Sequence, residues 1–511
     1  MNSESLELIN ENETALESET VTENEVETES ETTTESETIT ENETTKASET
    51  ETESETVKDN ATSNEGVSSA VDNVISLDNK SITITEAGTY YISGSIEDGQ
   101  IIIDAGDSDE IELVLNNVNI VSSDSAPIYV KDADEVVITL VGDNHLTVEG
   151  ELTDNEEGVD SVIYSKSDIL FNGNGTLTIK TDYMHGIVGK DDIEFDGGTY
   201  VITSAGDGIQ ANDSVEVLNT TLDIYAGKDG IQVDNDENTD KGYVYMINSN
   251  VTLNTGEDAI NASNYIEIAS GNYTVVSGED GFQSDIYLYI SGGSFNVTTG
   301  EGYQGVLNII TVGEGSGNTV SETDKLTESM KAFKSDDITI DDGSIIISSY
   351  EDGFNANNNI IINGGSFNVN SGDEAFTAHN TLEINAGTII IENGYEGLEG
   401  TYITINGGDI SINVLDDGIN GGEDYSLVTI AGGNLSVTCQ GDGLDSNGDM
   451  VISGGYITLD VTAIYAGGDG NVDVTGTLTY TGGTIVDADG LTIDPTVSTH
   501  GGKPGQGRPR P

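Results

Sequence analysis

Acids recur along this chain at steps of mostly 21 or 22 residues, and oxygens at that spacing could do chemistry. Asp207, Asp229, Asp258, Asp280, Glu301, Asp352, Glu374, Glu396, Asp417 and Asp442 hold one register, and Lys331 takes the same place once. The next residue is always glycine or alanine. The one after it is large and apolar, from Ile209, Ile231 and Ile260 through Phe282, Tyr303, Phe333, Phe354 and Phe376 to Leu398, Ile419 and Leu444. Three places after the acid stands another oxygen or amide in most copies, such as Gln210, Gln232, Asn261, Asn355, Thr377, Glu399, Asn420 and Asp445. A file of carboxylates beside amide and hydroxyl oxygens is the donor set of a hard cation, and calcium takes six to eight such oxygens.

Some members of the file have more acid around them than others. Asp229 is followed by Asp234 and Asp236, Glu396 by Glu399, and Asp442 by Asp445, while Asp416 and Asp417 precede Glu423 and Asp424. These, with Asp258, Asp280, Asp352 and Glu374, are the expected metal ligands. The plainer alternative is that each acid caps its own turn, accepting the N–H two residues on. Lys331 and Lys334 interrupt the file with two cations. They suit a salt-bridging rung, or else contact with a substrate carboxylate, or proton abstraction by a lysine of lowered pKa. Tyr350 and Tyr395 flank the same register and could stack on a sugar ring.

A fixed period of 20 to 50 residues means stacked units, and alternation within each unit means strands. Apolar pairs recur seven and five places before the acid, as in Leu222 and Ile224 or Phe367 and Val369, and Gly-Gly turns such as "NGGS" and "NGGD" break the strands. A unit near 22 residues is too short to hold a helix and fits one coil of a parallel β-helix, with coils about 4.8 Å apart. The fold expected is all-β, a right-handed parallel β-helix of roughly 18 coils over residues 67–495. Carboxylates one coil apart then repel by about 3 kcal/mol per pair at an effective dielectric of 20. Protons, solvent or bridging cations must relieve this.

Composition excludes several functions. The chain carries 94 acidic against 15 basic residues and a formal net charge of -79, and Arg508 and Arg510 lie at its very end. Nucleic acid is excluded as a partner, because phosphate contacts need clustered Lys and Arg. No apolar run approaches the roughly 18 residues of a transmembrane segment. Cys439 stands alone, so no disulfide joins the chain to itself. Residues 1–66, rich in Glu, Thr and Ser, are expected to form a disordered, self-repelling spacer, and 496–511 a flexible Gly/Pro-rich tail. The run "DNDENTD" lacks the glycine and closing glutamate of an EF-hand loop.

Longer motifs go further. The run "ISLDNKSITITEAGTYYISGSI" from Ile75, with "DYMHGIVGKDDIEFDGGTYVI", "GDGIQAND", "DKGYVYM", "GYEGLEG" and "DDGINGGED" in that order, resembles a bacterial family of carbohydrate-binding domain-containing proteins across residues 74–490. The resemblance implies a right-handed β-helix like that of polysaccharide lyases, bound calcium, an acidic or cellulosic plant polysaccharide as partner, and no catalysis. It also implies an extracellular or cell-surface location, although no basic start followed by an apolar stretch opens this sequence. The rival readings are a lyase with calcium and a lysine base, and an adhesin or stalk with structural calcium. Against the lyase, the repeat region has no arginine, and neither His145, His185, His379 nor His500 sits in a recognisable catalytic set.

Overall fold

In the computed structural model the described residues are 73–151, 158–235, 237–306, 329–462 and 470–496. The expected spacer over 1–66 and the tail after Thr496 lie outside the described residues, as does Asp236.

All regular structure among the described residues is strand, and every paired strand runs parallel to its partner one coil away. Three ladders result. The first follows the acid, as in Ile209–Ala211, Ile231–Val233 and Ile260–Ala262. The second includes Ser214–Leu218, Tyr243–Ile247 and Tyr265–Ile268, and the third Thr221–Ala226, Ser249–Thr255 and Gly271–Ser277. Alternate side chains point inward on each strand, so the apolar period of two fills one continuous core. Between the second and third ladders the Gly-Gly turns make the corner. There Gly365 and Gly408 adopt φ of +95°, where a Cβ would be strained.

The column of large apolar residues is a single row of the first ladder. Ile209, Ile231, Ile260, Phe282, Phe333, Phe354, Phe376, Leu398, Ile419 and Leu444 face one another coil by coil, all fully buried. The rings of Phe282, Phe333, Phe354 and Phe376 stack at 4.9, 4.9 and 4.6 Å, and Phe367 meets Phe354 edge-on at 5.9 Å. Removing the middle ring leaves a hole that rigid coils cannot close. Phe354→Ala is therefore expected to cost about 3–5 kcal/mol in chemical denaturation, against less than half of that for Phe354→Leu.

The solenoid has about 15 turns rather than 18. The expected Glu301 rung accounts for part of the difference. Phe282 pairs directly with Phe333, so Tyr303 is no member of the row, and one coil runs from Asp280 to Lys331. The chain leaves the ladder after Ser294–Thr299, where Gly300 and Gly302 turn through φ of +60° and +69°. The 21-residue step to Glu301 imitates the period without a strand behind it. Coils longer than the period account for more of the difference, since Ile128 pairs with Ile163 and Leu444 with Val472.

Candidate polar column and its acid clusters

The acids line the corner between the third ladder and the first, and their neighbours explain the local sequence. At the glycine corners the residue after the acid sits where a Cβ would strike a neighbouring side chain. A Cβ on Gly208 would lie 2.4 Å from Ile224 Cγ2, and one on Gly418 2.2 Å from Val437 Cγ1. The N–H of that small residue donates to the carbonyl of the next acid along, Gly208 to Asp229 at 2.9 Å and Gly230 to Asp258 at 3.0 Å.

The N–H of the acid itself has no ladder carbonyl to meet, and the previous coil's carboxylate accepts it. Asp229 N–H donates to Asp207 Oδ1 (3.2 Å), Asp258 to Asp229 (2.9 Å), Asp280 to Asp258 (2.8 Å) and Lys331 to Asp280 (2.7 Å). The same bond joins Asp442 N–H to Asp417 at 2.6 Å. Each aspartate therefore caps the coil after it rather than the turn two residues on. His185 opens this file, its Nδ1 3.0 Å from Asp207 Oδ2.

Burial raises two of these carboxylates, Asp229 up to about 7 and Asp258 up to about 8, and in each case a flanking aspartate adds to the rise.

From Asp352 onward the acids turn to one another. Three clusters bring carboxylate oxygens within 4.8 Å: Asp352 with Asp373 and Glu374, Glu374 with Glu396 and Glu399, and Asp442 with Asp445 and Asp473. Asp352 and Asp373 each share a side-chain hydrogen bond with Glu374. Burial holds Glu374 and Glu396 well above the usual carboxylate range and raises Asp373 to about 6 and Asp445 to about 8. Buried oxygens beside them lack a hydrogen-bond partner: Asp373 Oδ1, Thr377 Oγ1 and Asn420 Oδ1. Thr377, Glu399 and Asn420 share one row of the first ladder, and Asn420 Nδ2 donates to Glu396 Oε2 at 2.7 Å. Orphaned buried oxygens are rare in native proteins and cost about 1–3 kcal/mol each. An all-oxygen set of this kind fits a hard divalent cation.

Other expected groupings come apart. Asp229 precedes the strand Ile231–Val233 and the exposed Asp234 follows it, which puts them at opposite corners about 16 Å apart. Asp417 is separated in the same way from the exposed Glu423 and Asp424 by Ile419–Gly421. Asp416 accepts the Tyr395 hydroxyl at 2.6 Å, so Tyr395 is half-buried against the column, as is Tyr350. Asp258 and Asp280 each give one oxygen to the coil above, and Asp280 also accepts Lys334 Nζ at 3.0 Å.

Lys331 Nζ donates to Glu351 at 2.9 Å and lies 3.7 Å from Asp352, while Lys334 also reaches Gln283 at 2.7 Å. Burial would lower Lys331, but Asp352 and Glu351 outweigh it and hold the ammonium above its ordinary pKa. A proton-abstracting base needs the opposite shift. The salt-bridging rung is the role this geometry supports.

Sequence reasoning missed Asp373, although it adjoins Glu374. It also missed Asp473, whose place opposite Asp445 is hidden by the residues inserted before it. A further group, Asp168 with Asp191 and Asp192, lies at the next corner. Asp191 rises to about 7, chiefly through its hydrogen bond with Asp213, and Lys241 already supplies a cation there, bonded to Asp213 and 3.8 Å from Asp191.

The family model described as carbohydrate-binding domain-containing protein matches residues 78–271, 262–375 and 374–503. The chain belongs to that family. A protein of Acetivibrio thermocellus bearing the same description is 38% identical over 138 residues, which is 26% of this chain and 48% of the relative. The match thus spans about half the length of that curated relative. A solved structure, titled a polysaccharide lyase-like protein from C. thermocellum in a gadolinium derivative, is 32% identical over 44% of this chain and 95% of its own, with a TM-score of 0.38.

Proposed function

We propose that this protein is a non-catalytic binder of acidic polysaccharide, working outside the cell or at its surface through calcium held by the acids from Asp352 to Asp473. The observation that carries this reading is the coincidence of three-acid clusters with buried, unpartnered oxygens at Asp373, Thr377 and Asn420. Asp352, Asp373, Glu374, Glu396 and Glu399, with Asn420, would hold the ion, and calcium would supply positive charge and open coordination places. A chain of net charge -79 repels a polyuronate. A cation incompletely enclosed by protein carboxylates reverses that locally. Extracellular modules bind calcium in the 0.1–1 mM range, which suits the proposed location. The paired, raised Lys331 is what speaks against a lyase.

Equilibrium dialysis of cation-stripped protein with calcium tests this. Wild type should bind at least one ion per chain, and Glu374→Gln with Glu396→Gln should lower the stoichiometry, since both variants remove charge while keeping shape. No bound calcium at millimolar concentration, or an unchanged stoichiometry in the double variant, would contradict the assignment.

A further inference from the structure

The residues inserted between the strands Ile231–Val233 and Tyr243–Ile247 bring a lysine onto a buried carboxyl at the corner between the first and second ladders. Asp213 stands at that corner, between Ile209–Ala211 and Ser214–Leu218, and is buried. Lys241 Nζ donates to its Oδ2. The backbone around the lysine is held as well. Gly242 N–H donates to the Asp213 carbonyl at 2.6 Å, and the buried Asn264 donates through Nδ2 to the carbonyls of Asn235, Asn238 and Lys241 at 2.9, 3.1 and 2.5 Å.

The two oxygens of Asp213 have different surroundings. Oδ1 accepts Asn212 Nδ2 at 3.1 Å and Asn235 Nδ2 at 2.8 Å, so two amide donors converge on it. Oδ2 faces the ammonium. Asp191 shares a side-chain hydrogen bond with the same carboxyl and lies 3.8 Å from Lys241 Nζ. That bond raises Asp191 to about 7. Burial alone would raise Asp213, but its hydrogen bonds with Asp191, Lys241, Asn235 and Asn212 outweigh it and lower it. The proton between the two acids therefore rests on Asp191. An amine, two donors aimed at one oxygen and a proton carrier surround a single carboxyl carbon, which is more than an ion pair requires.

We propose that Lys241 and Asp213 condense into an isopeptide bond that ties the inserted loop to the preceding coil. The ammonium passes a proton to Oδ2, and the amine lone pair forms the Nζ–Cγ bond. Negative charge moves onto Oδ1, between the two asparagine amides. Asp191 gives its proton to Oδ2 and takes one from the nitrogen, the Cγ–Oδ2 bond breaks with its electron pair, and one water leaves. Asp191 ends as it began, and no oxidant or reductant enters. The hydrogen bond with Asp213 holds Lys241 above its ordinary pKa, so the ion pair is the resting state and the step is slow. A bond made once per chain needs no turnover, and reactants fixed in contact gain an effective molarity on the order of 10⁵ M or more. The link joins residues 28 apart in a chain whose single cysteine can form no internal disulfide, and it stabilises the fold by constraining the unfolded chain.

Intact mass spectrometry of the full chain, followed by tryptic mapping, tests this. Wild type incubated to constant mass should weigh one water less than its sequence, and the segments around Asp213 and Lys241 should emerge as one branched peptide. Lys241→Arg keeps the ion pair but offers no nucleophilic amine, so it should fold and show the full mass. Asp191→Asn lacks the proton carrier and should hold the link in a far smaller fraction of chains of the same age, since general acid–base transfer contributes on the order of a hundredfold in rate. A wild-type mass equal to the sequence, a water deficit that persists in Lys241→Arg, or equal cross-linking in Asp191→Asn would overturn the proposal.

Discussion

Cation-stripped protein is expected to melt at progressively lower temperature as the pH rises from about 4 to about 8. The cause is the buried aspartates of the N-terminal half. Burial, reinforced by Asp280 and Asp229, raises Asp258 to about 8, and burial with Asp207 raises Asp229 to about 7, both from an ordinary value of 3.8. In that window the folded protein keeps protons that the unfolded chain has released. Folding is then linked to proton uptake, and each unit of pH removes stability until the folded values are passed. Below about 4 the contribution is fully present. Two such groups should together lose on the order of a few kcal/mol, enough to move the melting temperature by several degrees.

Asp258→Asn supplies the control. Its Oδ1 can still accept the Asp280 N–H, now 2.8 Å from the carboxylate, while the titrating proton is gone. The variant should melt higher than wild type at pH 8 and show a flatter profile. A wild-type melting temperature that rises across the window would mean that these carboxylates are ionised in the folded state, and the account of the column would fail.

What the sequence shows of this molecule follows from what a solenoid does to distance. Residues one period apart become neighbours one coil apart, so the row from Ile209 to Leu444 and the pairs such as Leu222 and Ile224 can be read directly. Where the chain leaves the coil, the same reading misleads. Glu301 and Tyr303 keep the spacing and the residue types, yet Phe282 meets Phe333. Periodicity also names neighbours without naming atoms. It put an acid beside each small residue, but the carboxylate's partner proved to be the N–H of the coil above rather than of its own turn.

Site composition suffers in the same way. Asp229 and Asp234 are close in sequence and stand at opposite corners of a strand. Asp445 and Asp473 are 28 residues apart in sequence and stand in register.

Replacing the two central glutamates should abolish the calcium-dependent part of polysaccharide binding. Glu374 belongs to two of the three clusters and Glu396 accepts the amide of Asn420, so Glu374→Gln with Glu396→Gln removes charge that the ion would need. The pair should also spare the stripped protein the cost of keeping two buried carboxyls protonated at neutral pH. Its melting temperature in chelator should therefore equal or exceed that of wild type while the gain from calcium shrinks. A ligand that binds only the folded state raises stability with the logarithm of its concentration over Kd, about 2.7 kcal/mol at a hundredfold excess.

The central claim is that calcium on this column joins two anionic partners. Retention of the full chain on insoluble polygalacturonate, measured with millimolar calcium and again with chelator at the same ionic strength, tests it most directly. The account predicts that wild type is retained with calcium and released by chelation, and that the Glu374→Gln, Glu396→Gln variant is released in both. Wild type retained equally in chelator, or never retained with calcium, would contradict it.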